Sequence, residues 1–165
     1  IRDAQESRGL GDVYKRQGIA TIATLDVGLG AGLVATNTVV GKNALDANTS
    51  GATNVAIGQD ALGANTTGDG NLAVGYQALY SNTTASDNTA IGKGSLYATT
   101  TGTQNTVVGS SAGGDNITGD NCLTLGFNAQ SSSNSADNEV HFTPTIITTT
   151  LHSTGGVLLI GKETK

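Results

Sequence analysis

The sequence predicts an all-β fold, a parallel β-solenoid of about six or seven coils with seventeen residues to the coil. Three observations carry that prediction. A pentapeptide returns every seventeen residues from Asn37 onward, the chain holds 24 glycines among 165 residues, and only 13% of its residues are charged. An ordinary domain has about 7% Gly and about 25% charge, so both figures are displaced about twofold. Glycine at this density disfavours a helical bundle, because each interior Gly costs a helix about 1 kcal/mol. Collagen is excluded, since Gly stays far below one third, keeps no triplet and stands beside a single Pro.

The first segment has a different character. Ile1–Gln17 reads IRDAQESRGLGDVYKRQ and holds a third of all the charged residues, after which the chain turns at once to Ala, Thr, Gly and Val. It lacks the basic stretch and apolar core of a signal peptide. It closely resembles translated library-adaptor sequence at the ends of proteins predicted from metagenomic assemblies, and residues 1–17 are read as a non-native tail. Residues 18–36 hold a shorter unit, Val27-Gly28-Leu29-Gly30-Ala31-Gly32, and are read as an entering coil or cap.

The repeat proper runs over residues 37–142. Asn37-Thr-Val-Val-Gly41 returns as Asn54-Val-Ala-Ile-Gly58, Asn71-Leu-Ala-Val-Gly75, Asn88-Thr-Ala-Ile-Gly92 and Asn105-Thr-Val-Val-Gly109. Cys122-Leu-Thr-Leu-Gly126 keeps the register with Cys in the Asn column, and Glu139-Val-His-Phe-Thr143 survives only as a strand. Ala44, Ala61, Ala78, Ser95, Ala112 and Ala129 form a further column, Leu45, Leu62, Leu79 and Leu96 the next, and an Asn-Thr-Thr-Gly turn follows. Seventeen residues are too few for a helical repeat of about 34. They suit one solenoid coil, an extended perimeter of about 56 Å stacked at about 4.8 Å. After Pro144 the pattern stops, and residues 143–165 offer two strand-like runs, Thr145–Leu151 and Val157–Ile160, read as a cap or the start of a following domain.

Within N-x-A-I-G, alternation assigns two faces. The fourth position is always a large aliphatic residue (Val40, Ile57, Val74, Ile91, Val108, Leu125) and is placed inside as the coil core. The third position (Val39, Ala56, Ala73, Ala90, Val107) then points outward. A column of exposed Ala and Val calls for a second buried surface, such as a partner chain. On this reading Asp at Ala73 or Ala90 breaks assembly and spares the coil, whereas Asp at Ile91 breaks the coil. The Ala44/Leu45 columns are expected to mark a second short strand. The scarcity of charge has the same origin, because a charge in a column faces its own copies about 5 Å away.

Chemical motifs are thin. Gly28-Leu-Gly30-Ala-Gly32 lacks both the third Gly of G-x-G-x-x-G and a following Lys-Ser/Thr, so it reads as turn glycine and not as a phosphate loop. Asn48, Asn65, Asn82 and Asn116 match N-x-S/T but recur at one turn position. Cys122 has no Cys partner, and although His141, roughly one coil on, could lie near it, the pair reads as a buried small thiol and a surface His. Asp60, Asp69, Asp87, Asp115, Asp120 and Asp137 form no single column, and the Ca²⁺ signature G-G-x-G-x-D is absent. No catalytic, cofactor or metal site is expected. A net charge of −5 argues against nucleic acid as a partner, and no apolar run approaches the roughly 20 residues of a membrane-spanning helix.

The N-x-A-I-G-x-x-A unit is similar to the YadA-like head repeat of trimeric autotransporter adhesins, a repeat also found in bacteriophage tail fibres. The resemblance spans Val27 to about Phe142 in several columns at once. It implies a left-handed parallel β-roll and a side-by-side homotrimer, with Val39, Ala56, Ala73, Ala90 and Val107 at the threefold interface. The adhesin-head unit is about fourteen residues long, and the Asn-Thr-Thr turn adds about three here. The longer form resembles tail-fibre repeats more closely.

The expected function is therefore a structural and adhesive segment of a virion tail fibre, a non-enzymatic rod that spaces or presents elements binding a host-surface glycan or protein. The alternative is an adhesin head on a bacterial surface. An ice-binding solenoid, suggested by the pairs Thr49-Ser50, Thr66-Thr67, Thr83-Thr84 and Thr100-Thr101, is the reading from another class. A polysaccharide-active enzyme is weaker still, since it needs paired carboxylates in a groove.

Overall fold

In the computed structural model of the chain the described residues are 19–22 and 25–143, with side chains described from Val27 onward. The segment 1–17 and the strands expected over 145–151 and 157–160 lie outside them. The described chain is a β-solenoid with one nine-stranded sheet whose strands follow one another in sequence order. An antiparallel hairpin, β1 (Ile19–Ile22) and β2 (Leu25–Gly28), opens it, and β2 pairs antiparallel with β3 (Thr38–Val40). A short 3₁₀ turn, Ala31–Leu33, links β2 to β3. From β3 all pairing is parallel: β4 (Val55–Ile57), β5 (Leu72–Val74), β6 (Thr89–Ile91), β7 (Thr106–Val108), β8 (Leu123–Leu125) and β9 (Val140–Phe142). Each residue faces its own repeat copy seventeen positions on, as Val39↔Ala56↔Ala73↔Ala90↔Val107↔Thr124.

Three-residue strands are short, so the ladder continues through the turns. Leu45, Leu62, Leu79 and Leu96 donate to Ala61, Ala78, Ser95 and Ala112 at 2.9–3.0 Å, and Thr49 and Thr66 donate to Thr66 and Thr83 at 2.9 Å. No strand forms at Ala44/Leu45, contrary to the sequence reading. Ala44 and Leu45 are consecutive and both buried, which a strand forbids because its side chains alternate. The Leu column manages it by adopting left-handed backbone, φ 53, 51, 51 and 49 at Leu45, Leu62, Leu79 and Leu96. That conformation costs a bulky residue about 1–2 kcal/mol, while full burial of Leu returns about 1.5–3 kcal/mol.

The faces of the strand are the reverse of those the sequence suggested. Ala56, Ala73, Ala90 and Val107 are 0% exposed and Val39 is 3%. Ile57, Ile91 and Val108 are 38% exposed, and Val40, Val74 and Leu125 are half-buried. The third position is therefore core and the fourth is surface, so Val39, Ala56, Ala73, Ala90 and Val107 are not available to a partner. The reason is the width of the coil. Its interior is already filled by the Leu column, the Ala44/Ala61/Ala78 column and two Asn columns, all buried, and only a small side chain fits opposite them. Coil five shows the fit. A Cβ added at Gly113, which stands in the Leu column, would lie 3.1 Å from Leu96 Cδ2 and 3.2 Å from Val107 Cγ2. At coil five the larger Val107 thus faces a missing Leu, while at coil one Val39 is buried beside Leu45.

The two Asn columns hold each coil closed. Asn54, Asn71, Asn88 and Asn105 each donate a backbone N–H to the side-chain oxygen of the Asn one coil earlier, at 2.9–3.0 Å. Their own Nδ2 groups donate to Gly68, Ala85, Gly102 and Gly119 carbonyls at 2.8–2.9 Å. Asn65 and Asn82 reach the same Gly68 and Ala85 carbonyls from the second column, at 3.1 and 3.0 Å. Among the described residues every buried side-chain N or O atom has a partner. Coils also meet closely at Gly58, φ 129, where a Cβ would stand 2.6 Å from the Gly75 oxygen.

Two outcomes follow for stability. Asn88→Ala leaves the buried Asn105 N–H and Gly102 carbonyl without their partners, and loss of about 2–5 kcal/mol is expected in urea unfolding. Ala90→Asp places an unpaired charge at a fully buried site and unfolds the coil, while Ile91→Asp, on the outer face, leaves the circular dichroism of the coil in place.

Candidate functional site

The most distinctive surface is the outer face of the sheet. Two columns point there: Thr38, Val55, Leu72, Thr89, Thr106, Leu123 and Val140, and then Val40, Ile57, Val74, Ile91, Val108, Leu125 and Phe142. Neither column contains a charged residue. Seven strands at about 4.8 Å give a stripe about 29 Å long, and two outward columns about 7 Å apart make it about 12 Å wide. Its area, on the order of 350 Å², falls within the range of functional patches on soluble proteins. At the β8–β9 end it becomes bulkier, with Phe142 and Val140 exposed and Phe127 72% exposed beside them. A parallel sheet ordinarily has both faces covered, and among the described residues only the inner face is.

The residues expected to form the coil core therefore line the outer surface, and those expected at an interface are the core. The signal for this was in the repeat, because the third position holds only Ala, Val or Thr from Val39 to Thr124. Confinement restricts side-chain size, while a surface column is free to vary among Val, Ile and Leu.

The remaining chemical candidates have structural occupations. Asn48, Asn65, Asn82 and Asn116 are almost fully buried and bond the backbone carbonyls of Gly51, Gly68, Ala85 and Gly119. They are interior pins and not glycan acceptors. The hydroxyls of Thr49, Thr66, Thr83 and Thr100 donate to carbonyls of the next coil at 2.9–3.4 Å. Their neighbours Ser50, Thr67, Thr84 and Thr101 stand exposed in single file, and of the bonded column only Thr49, on the first coil, is exposed as well. Asp69, Asp120 and Asp137 accept backbone N–H groups of the preceding coil. Among the described residues no group of three or more His, Cys, Asp or Glu is placed to hold a metal ion, and no helix is long and apolar enough to cross a membrane.

The end of the described solenoid changes the core chemistry. Cys122 takes the Asn position, receives the Asn105 oxygen on its N–H and donates Sγ–H to the Ala136 carbonyl at 3.1 Å. One coil on, the same two core columns carry Glu139 and His141, with His141 Nε2 2.5 Å from Glu139 Oε2. Ser132 donates its hydroxyl to Glu139 Oε1 at 2.5 Å and its N–H to Oε2 at 3.1 Å. The hydroxyl of Ser132 points at the carboxylate and not at the imidazole, so the trio lacks the Ser-to-His contact that activates a nucleophile.

No protein-family model, curated protein or solved structure matches this chain. The surface must therefore be interpreted from its own geometry.

The Ser132 hydroxyl, the Ser132 amide and then His141 hold the Glu139 carboxyl below the usual carboxylate range. A carboxylate depressed in the folded state stabilises it above the unfolded pKa and ceases to do so as pH falls through the folded value. Acidification through the carboxylate range is expected to loosen the last coil. Hydrogen-exchange protection at Val140–Phe142, corrected for intrinsic rates, should fall over that window in the native protein and lose this dependence in Glu139→Gln.

Proposed function

We propose that this chain is a structural and adhesive fibre segment, of the kind found in bacteriophage tail fibres, in which three copies stand side by side and join through the outer faces of their sheets. The observation that carries the reading is an uncharged stripe, aliphatic in one column and mixed Thr and aliphatic in the other, on a parallel-sheet face that no described residue covers. Each element of the rod serves stiffness. Coils share backbone ladders at the strand and at the turns, so bending requires many bonds to lengthen together. Among the described residues every buried side-chain N or O atom is paired, which leaves little to open to proteases.

The chain thus reads as a spacer on a virion that carries host-binding parts at a set distance. Any contact with a host glycan or protein is repeated by each copy, and avidity multiplies a weak single-site affinity. The same rod would serve an adhesin head on a bacterial surface. An ice-binding role is less well supported, because the exposed Ser/Thr rank is one residue wide and its neighbouring rank is bonded to the backbone.

Light scattering of the purified chain should give three times its 16.4 kDa mass. Ile57→Asp with Ile91→Asp, both on the outer face, should yield a monomer that keeps the native circular dichroism. A wild-type chain that stays monomeric at micromolar concentration would overturn the assembly.

A further inference from the structure

Away from the outer stripe, one surface column departs from the repeat. It reads Asp46, Gly63, Tyr80, Tyr97, Gly114 and Ser131, so two tyrosines on adjacent coils stand in a column that otherwise holds small or acidic residues. Their rings stack, with centroids 5.4 Å apart and planes 10° from parallel. The backbone fixes them as neighbours, because the Ser81 N–H donates to the Tyr97 carbonyl at 3.1 Å and the Ala64 N–H to the Tyr80 carbonyl at 3.1 Å. Gly63 lies against the ring of Tyr80, where an added Cβ would stand 3.1 Å from Cε2. Tyr80 is half-buried and Tyr97 is 40% exposed.

The rest of the chain makes this pair chemically prominent. The sequence holds no Met and no Trp. Its one Cys, Cys122, is buried and bonded to a backbone carbonyl, and a buried structural thiol is inert. The side chains most easily oxidised at the surface are therefore tyrosines. Tyr76 is exposed, but it stands in another column between Gln59 and Lys93 and has no ring beside it there. A phenoxyl radical formed at Tyr80 or Tyr97, in contrast, has a second phenol stacked on it from the adjacent coil.

We propose that Tyr80 and Tyr97 are an oxidative modification site, at which hydrogen peroxide acting through a haem peroxidase joins their two coils by a dityrosine staple. Each phenol gives one electron to the activated haem and its hydroxyl proton to solvent. The two phenoxyl radicals pair their unpaired electrons in a new C–C bond between one Cε of each ring. The hydrogens displaced from those carbons pass as protons to the phenoxyl oxygens and restore two phenols, while the peroxide is reduced to two waters. The rings must turn from face contact to edge contact, and an exposed side chain such as Tyr97 changes rotamer freely. The staple closes a loop of seventeen residues, and, as with a disulfide, such a closure stabilises mainly by constraining the unfolded chain. It acts within one chain and so goes beyond the assembly proposed above.

The test is treatment of the full native chain with hydrogen peroxide and a haem peroxidase, followed by a denaturing gel, intact mass and a tryptic map. Lys93 is the only Lys or Arg between Lys42 and Lys162, so trypsin parts residues 43–93, which hold Tyr80, from residues 94–162, which hold Tyr97. The expected product runs as a single chain, has lost two hydrogens, shows dityrosine fluorescence and keeps those two peptides joined after denaturation and full digestion. It should form equally in Tyr76→Phe. It should be lost in Tyr80→Phe and in Tyr97→Phe, each of which keeps the stacked ring and with it the fold. Absence of dityrosine, its confinement to covalently joined chains, or survival of the joined peptides in Tyr80→Phe or Tyr97→Phe overturns the site. Mass in solution before oxidation judges the fibre reading separately. A trimer that forms no staple defeats this site alone, and a monomer that forms one defeats the assembly alone.

Discussion

Everything in this rod depends on a carbonyl oxygen that two asparagine side chains share. Gly68 O receives Asn54 and Asn65, and Ala85 O receives Asn71 and Asn82. That shared acceptor ties the start of a coil to its final turn. The same asparagines bond forward to the next coil, so closure and stacking are one network. A coil of seventeen residues has too small an interior to be held by apolar burial alone. Polar pins in the core supply direction as well as energy, because a fully satisfied buried network admits one register. Where the pins change, at Thr99 and Cys122, each substitute still finds a carbonyl, of Asn116 and Ala136.

Much of the architecture was legible before any coordinates. The period, the coil count, the parallel sheet and the place of the N-x-A-I-G strands follow from columns of Asn, Ala, Leu and Gly, whereas the strand expected at Ala44/Leu45 does not form. What the columns did not reveal was which way they point. Alternation separates two faces of a strand but does not name the inner one, and size was taken as the guide. In a wide domain the larger residue is inside. In this narrow coil the interior excludes it, so Ile57 and Ile91 lie outside and Ala56 and Ala90 inside. The left-handed Leu column was equally hidden, since propensity gives no reason for Leu to take positive φ.

The candidate surfaces were less legible for a related reason. The outer stripe could not be found while its residues were assigned to the core.

The in-register pairing of each residue with its copy seventeen positions away has an evolutionary consequence. A coil touches only the coil before and the coil after it, and those two are nearly identical. Unequal recombination between repeats can therefore insert or delete one unit without disturbing any other contact, and each event changes the reach of the rod by about 4.8 Å. Such a molecule can be retuned in length by copying alone, while the antiparallel hairpin and the atypical Glu139/His141 coil that flank the repeats stay as they are.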